Sequence, residues 1–377
     1  MRHITRTLFV VCALLAVAGC RRDATSLTTW EALPLGTTAD FGDLWFTDAR
    51  HGWIAGGSYQ IPGGLIGRTD DGGRTWRFNS NLLGTPTGPG QMRVLAVRFF
   101  DSHRGLVTTS SGAILSTSDG GENWARVSRP DRGGAAANVF FLDERRAWAV
   151  GPRGVLRTDD MGQQWVAASL DENAASVAGR AIHFLDDRNG WLAGMHAALM
   201  HTADGGETWE SVTLPLPAEE RPGLWDLFFV DRQFGWVVGE EGTMVATRDG
   251  GSTWILKNTG LADAHSAPKL ERIPRAGRID VIDAGDRTPG LTLRSVRFVD
   301  RNRGWIVGYY AGLGRSLILR TEDGGGTWMV DADIAGEELH ALFVQDGERL
   351  WTVGARVREG AQAIYQRAVT AAPASAK

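Results

Sequence analysis

Thr69 to Trp76 reads TDDGGRTW. Carboxylates beside a glycine pair could cradle a calcium ion, or could serve a hydrolase as acid and base. The cluster returns as TSDGGENW at Thr117, TDDMGQQW at Thr158, TADGGETW at Thr202, TRDGGSTW at Thr247 and TEDGGGTW at Thr321. Each copy offers at most two carboxylates in a short turn, whereas calcium takes roughly six to eight oxygens from a longer loop. An active site occurs once, so six near-copies read as structure. In a hairpin, glycine supplies positive φ and aspartate accepts bonds from nearby backbone N–H groups. Asp71, Asp119, Asp160, Asp204, Asp249 and Asp323 are therefore turn builders. The positive-φ positions are assigned to Gly73, Gly121, Gly162, Gly206, Gly251 and Gly325, because the first glycine of the pair is Met161 in the third copy. Trp76, Trp124, Trp165, Trp209, Trp254 and Trp328 close the copies and are expected to pack between structural units.

A second recurrent segment has binding chemistry at its start. FTDARHGWIAGG, FFDSHRGLVTTS, FLDERRAWAVGP, FLDDRNGWLAGM, FVDRQFGWVVGE, FVDRNRGWIVGY and VQDGERLWTVGA each read as strand, tight turn, strand. Aligning them on the Asp puts Gly42, Leu95, Ala137, Arg180, Trp225, Arg294 and His340 in one upstream column. Trp45, Arg98, Phe140, His183, Phe228, Arg297 and Phe343 form another. Arg98, Arg180, His183, Trp225, Arg294, Arg297 and His340 thus make a cationic and aromatic set. Arg and Trp commonly anchor interfaces, and a guanidinium grips a carboxylate with two bonds. The same arginines could instead pair with Asp43, Asp226 and other acids between units.

Other chemistry finds less support. Glu240 or Glu241 with Asp226 could form a glycosidase pair if their separation fell within roughly 5 to 9.5 Å. ERIP at Glu271 to Pro274 resembles the Arg-Ile-Pro motif of sialidases, but follows the fifth repeat whereas theirs precedes the first. Arg272 is read as a solvated loop residue. His196 and His201 are read as unrelated, and neither a metal nor a cofactor is assigned. A net charge of −4 argues against a nucleic-acid partner.

The spacing indicates the elements that carry these residues. The closing tryptophans lie 48, 41, 44, 45 and 74 residues apart, a period that indicates four-stranded propeller blades with one insertion. Seven inner-strand segments stand against six Asp-turn clusters, and the seventh unit ends after a third strand. TTWEALPLG, from Thr28 to Gly36, resembles the segments that follow the turns and lacks a blade of its own. The expected fold is all-β: a seven-bladed β-propeller over residues 28–368, its ring closed by the N-terminal strand completing the seventh blade. The insertion occupies 258–290 between blades five and six, and residues 369–377 form a disordered tail. Inner-strand starts should ring the channel mouth on the upper face, with the Asp turns below. Length variation collects in the upper loops, which marks that face for binding.

The beginning of the chain carries an export signal. Arg2 and Arg6 precede an apolar run, Leu8 to Ala18, too short to span a bilayer as a mature helix. Residues 1–19 read as a lipoprotein signal peptide ending in LAVAGC, with Cys20 as the lipidation site and 20–27 as a tether. The other cysteine, Cys12, lies in the segment that would be removed, so no disulfide is expected.

The turn clusters resemble Asp-box repeats, also called BNR repeats. The larger unit, F-x-D-x3-G-W-x2-G followed by T-x-D-G-G-x-T-W, resembles that of the photosystem II assembly and stability factor family from Thr28 to Ala368. The resemblance implies a non-catalytic, monomeric, lipid-anchored scaffold, facing the periplasm or a thylakoid lumen, that holds a membrane-protein client or peptide. The alternative is an exported sialidase-like glycoside hydrolase or glycan-binding propeller. Leu106 stands in place of the Gly-Trp aromatic in blade two, and Ala147 in place of a glycine in blade three.

Overall fold

A computed structural model describes residues 28–57, 64–80, 82, 93–127, 137–152, 154–170, 177–217, 219–257, 290–357 and 364–369. The signal segment, Cys20, the tether, the insertion up to residue 289 and the tail from 370 lie outside the described residues.

The described strands form seven sheets. Blade one runs through Asp40–Phe46, Gly52–Gly57, Leu65–Thr69 and Arg77–Asn79. The next five repeat this order, and blade seven comprises Glu337–Val344, Leu350–Arg356, Ile364–Val369 and finally Thr28–Ala32. Thr28 pairs with Val369 and Ala32 with Tyr365, antiparallel. The ring therefore closes as the spacing predicts, with Val369 in the last strand rather than in the tail. Blade four differs: Ser169–Leu170 adds a fifth, parallel strand against Thr208–Trp209, an element the repeat pattern did not foretell.

Blades pack face against face, so the second strand of each is covered on both sides. That explains its continuous apolar pattern, as in GWIAG, AWAVG and GWVVG. Its tryptophan reaches the following blade. Trp53 stacks on Phe99 with ring centroids 3.6 Å apart, Trp148 on Phe184 at 3.6 Å and Trp236 on Phe298 at 3.6 Å. Trp53 Nε1 also donates to Gly120 O at 2.9 Å, and Trp148 Nε1 to Gly205 O at 3.0 Å, so a second-strand indole binds the next blade's Asp turn. In blade two Leu106 fills the tryptophan's place against Gly162, and it is fully buried.

The Asp turns are built from side chains. In blade one Thr69 Oγ1 donates to Asp71 Oδ1 and accepts from the Gly73 N–H at 2.9 Å, while Asp71 accepts from the N–H and hydroxyl of Thr75. The Thr–Asp pair and the bond from the second glycine recur in all six turns. Some burial works against the charge of Asp71, Asp119 and Asp204, but bonds from Thr75, Asn123 and Thr208 outweigh it and hold the carboxyls at about 2. Bonds from Thr253 do the same at Asp249. All these oxygens are spoken for by their own turn.

The assignment of positive φ to the second glycine alone does not hold. Both glycines of each pair have positive φ, 77° and 92° at Gly72 and Gly73, and Met161 itself adopts 60°. The absence of glycine at one copy therefore did not mark an unstrained position. The closing tryptophans pack between blades as expected: Trp254 meets Trp191 of the preceding blade edge-on at 5.5 Å, and Trp124 lies between Trp53 of blade one and the Phe99 ring of its own blade. Face-to-face stacking between blades belongs to the second-strand tryptophans.

Candidate functional site

Six of the seven inner strands begin with a β-bulge. The ladder register shifts between Phe41 and Asp43, Val94 and Ala96, Gly179 and Ala181, Leu224 and Asp226, Leu293 and Ser295, and Leu339 and Ala341. The residues skipped are Gly42, Leu95, Arg180, Trp225, Arg294 and His340. A bulge leaves one residue unpaired and re-aims its side chain. Together with Ala137 these residues line a single cavity of about 360 Å³ at the channel mouth.

Most cations in that cavity are neutralised by a neighbouring blade. Arg98, 8% exposed, forms an ion pair with Oδ2 of the equally buried Asp43, and the same oxygen accepts the Val97 N–H at 2.9 Å. Burial pushes the Asp43 carboxyl up, and Arg98 works against that push. Blades five and six repeat the arrangement: Asp226 accepts from Ser295 Oγ at 2.8 Å, Val296 N at 3.0 Å and Arg297 at 2.5 Å. Arg294 pairs with Glu338, and His340 Nε2 lies 3.6 Å from the same Glu338 oxygen. These contacts are the interblade pairing that the sequence left open.

Arg180 is different. Its guanidinium lies 4.1 Å from the Trp225 ring centre, with Arg294 at 3.8 Å from that ring in the following blade, and it makes no ion pair among the described residues. Burial and the like charge of Arg294 lower its pKa.

A deeper belt narrows the channel. Trp45 meets Phe343 edge-on at 5.4 Å, Phe140 faces His183 at 5.1 Å, and His183 faces Phe228 at 5.5 Å. Arg98 lies over Trp45 at 4.9 Å and Arg297 over Phe228 at 5.7 Å. Burial, and then the charge of Arg297, holds His183 at about 3, so this ring is neutral. His183 belongs to the belt and is absent from the cavity lining; it supplies no cation there.

The glycosidase candidates are engaged elsewhere. Asp226 is enclosed as above, Glu240 accepts the Gly223 N–H at 2.8 Å, and Glu241 accepts the Gly290 N–H at 2.9 Å. Glu271 and Arg272 lie outside the described residues. His201 packs on Trp191 at 4.5 Å, and among the described residues no group of His, Cys, Asp and Glu is placed to hold a metal.

A family model described as photosynthesis system II assembly factor YCF48 matches residues 22–178 and 130–223. The chain belongs to this family. The photosystem II assembly lipoprotein Ycf48 of Synechococcus sp. (strain CC9902) is 29% identical over 173 residues, 45% of this chain and 49% of the relative. The match thus spans about half the length of that protein. A solved structure, YCF48 bound to D1 peptide, superposes with a TM-score of 0.64 at 20% identity, covering 92% of this chain and 97% of that one. The GH74 xyloglucanase of Xanthomonas campestris gives 0.56 at 14% identity, covering 87% and 59%. At these identities the structural likenesses show the fold alone.

In this YCF48-family propeller six of the cavity's cationic and aromatic residues fall in the aligned columns, and Arg93 does not. Arg93 lines the cavity just before the Val94–Phe99 strand, and its Nε is buried without an acceptor. Nothing in the repeat marks it, because Arg93 precedes the bulge and its counterparts in the other blades do not share its type. A charged residue ahead of an inner strand was the available signal.

Proposed function

We propose that this chain is a non-catalytic scaffold that holds an extended segment of a membrane-protein client on the upper face of the propeller while a membrane complex is assembled. The observation that carries the reading is the set of bulges that turns one residue from each of six inner strands into a common cavity. Bulges are devices for aiming side chains next to functional sites. Membership of an assembly-factor family supports a binding role, and the peptide named in the related structure supports a polypeptide ligand. The export segment, LAVAGC and the lipoprotein names of relatives support a lipid anchor at Cys20 and an exported protein facing the periplasm, or the lumen in a phototroph. The net charge of −4 supports the exclusion of nucleic acid.

The test is crosslinking from a photoreactive residue at Ala137, a small residue in the cavity wall, in the lipidated protein in its native membrane. One dominant membrane-protein adduct, identified by mass spectrometry and missing when the residue is placed instead at Val166 on an outer strand, is the expected result. An absence of protein adducts would overturn the reading and bring the glycan-binding propeller forward.

A further inference from the structure

Five arginines and two aspartates line the mouth cavity. Asp43 and Asp226 are consumed by Arg98 and Arg297, and Arg294 is held by Glu338. Two guanidiniums are left over. Arg180, on the blade-four bulge, has no acid partner among the described residues; Glu240, which acts on it through space, is tied to the Gly223 N–H. Arg93, ahead of the blade-two strand, has a backbone N–H bonded to Ser110 Oγ, but its guanidinium makes no ion pair or hydrogen bond among the described residues. Between them in ring order stands blade three, whose residue in the same column is Ala137. Blade three thus contributes only a methyl group from that column to the cavity wall. Asn138 beside it is itself engaged, with Oδ1 accepting from Arg98 and Nδ2 donating to the Arg180 carbonyl.

Partly buried cations without counter-charge favour an anion, and a guanidinium fork fits the planar geometry of a carboxylate. We infer that Arg93 and Arg180 form a carboxylate-binding subsite across blade three, which selects client segments that present an acidic side chain or a free chain end at the mouth. This inference rests on the upper-face binding reading and adds the chemical class that the face selects. The deeper belt limits the depth to which a chain can enter, so the carboxylate binds at the rim, above Trp45 and His183. Trp225, flanked by Arg180 and Arg294, holds the Arg180 fork in place and is a positioning residue.

The probe is a fluorescein-labelled peptide of Gly and Ser residues ending in Glu with a free C-terminus. It is compared with the same peptide amidated at its end, with Gln in place of Glu, and with both changes. Anisotropy titrations at low ionic strength use the whole exported chain. The doubly neutral peptide is expected to bind at least tenfold more weakly than the parent, as loss of a charge-assisted contact predicts. A loss on amidation alone identifies the chain end as the source of the carboxylate, and a loss on Glu to Gln alone identifies the side chain. Arg180→Gln and Arg93→Gln are each expected to weaken the parent peptide about tenfold and to leave the doubly neutral one unchanged, with unfolding midpoints checked for each variant. Arg145→Gln on the lower face is the control. The inference is overturned if the four peptides bind alike, if none binds, or if both variants bind the parent as the native chain does. Should Ala137 crosslinking still capture a client in that case, the scaffold reading survives and the carboxylate subsite alone fails.

Discussion

The indole of Trp351 in blade seven lies stacked on the ring of Phe46 in blade one, with centroids 4.2 Å apart and planes inclined by 22°. This contact crosses the seam at which the ring closes. On one side of it the Thr28–Ala32 strand completes blade seven, and Trp30 Nε1 donates to Asp331 of blade six at 2.9 Å. Trp351→Ala removes a fully buried indole that links the last blade to the first. It should lower stability by about 3–5 kcal/mol in urea unfolding, as large-to-small changes at buried aromatics do. Exchange of the Thr28–Ala32 amides should rise with it.

Met161 carries a positive φ of 60° where the other five turns have glycine. Met161→Gly should stabilise the protein by up to about 1 kcal/mol, since a side chain is disfavoured in that region and the entropy of glycine offsets part of the gain. An alanine at the following position of a turn, Gly206→Ala, should destabilise by more. Its φ is 85°, and the added methyl would stand 2.7 Å from Trp148 Nε1. Thermal unfolding of both variants gives opposite shifts if the geometry is right.

Acid should weaken the fold through the turns. Asp71, Asp119, Asp204 and Asp249 sit at about 2 in the folded chain, below the ordinary 3.8. The seven aspartates of the turns between first and second strands, from Asp48 to Asp346, are lowered as well. A depressed carboxyl contributes stability that is complete above the unfolded pKa and is lost as pH falls through the folded one. Urea midpoints should therefore fall between about pH 4 and pH 2, and Asp71→Asn should flatten that slope.

His183 acts in a higher window. Burial beside Phe140 and Phe228, and the charge of Arg297, hold it at about 3, so below its usual 6.5 the unfolded chain gains a proton that the folded chain refuses. Stability should decline from about pH 6.5 downward. His183→Leu should remove that part of the decline while leaving the lower, aspartate-driven part in place.

The arginines of the mouth should separate by their effect on stability. Asp226→Asn strips the partly buried Arg297 of its counter-charge and should cost about 2 kcal/mol, because a largely desolvated charge is left uncompensated. Arg180→Gln breaks no ion pair among the described residues and should change the unfolding free energy from urea titration by less than about 1 kcal/mol. The opposite order would mean that Arg180 is structural and Arg297 is spare.

Blade number, ring closure and the placement of the Asp turns were all legible in the sequence, because they depend on short-range rules. A two-residue alternation defines strands, Gly and Asp define the turns, and a period in the forties defines the blades. The surplus half-unit at Thr28 had one place to go, beside the seventh blade's third strand. Even the column that rings the mouth followed from alignment on the turn aspartates. The bulges did not: each adds a residue without breaking the hydrophobic pattern, so Arg180 and Trp225 could be placed at the mouth without their aim being known. Nor could residue type distinguish Arg98 and Arg297 from Arg180, since all are arginines near the starts of inner strands. That distinction depends on whether an acid from the preceding blade reaches the guanidinium, as Asp43 and Asp226 do. Contacts between residues 55 and 71 positions apart in the chain are set by how blades pack around the axis, and only the closed ring decides them.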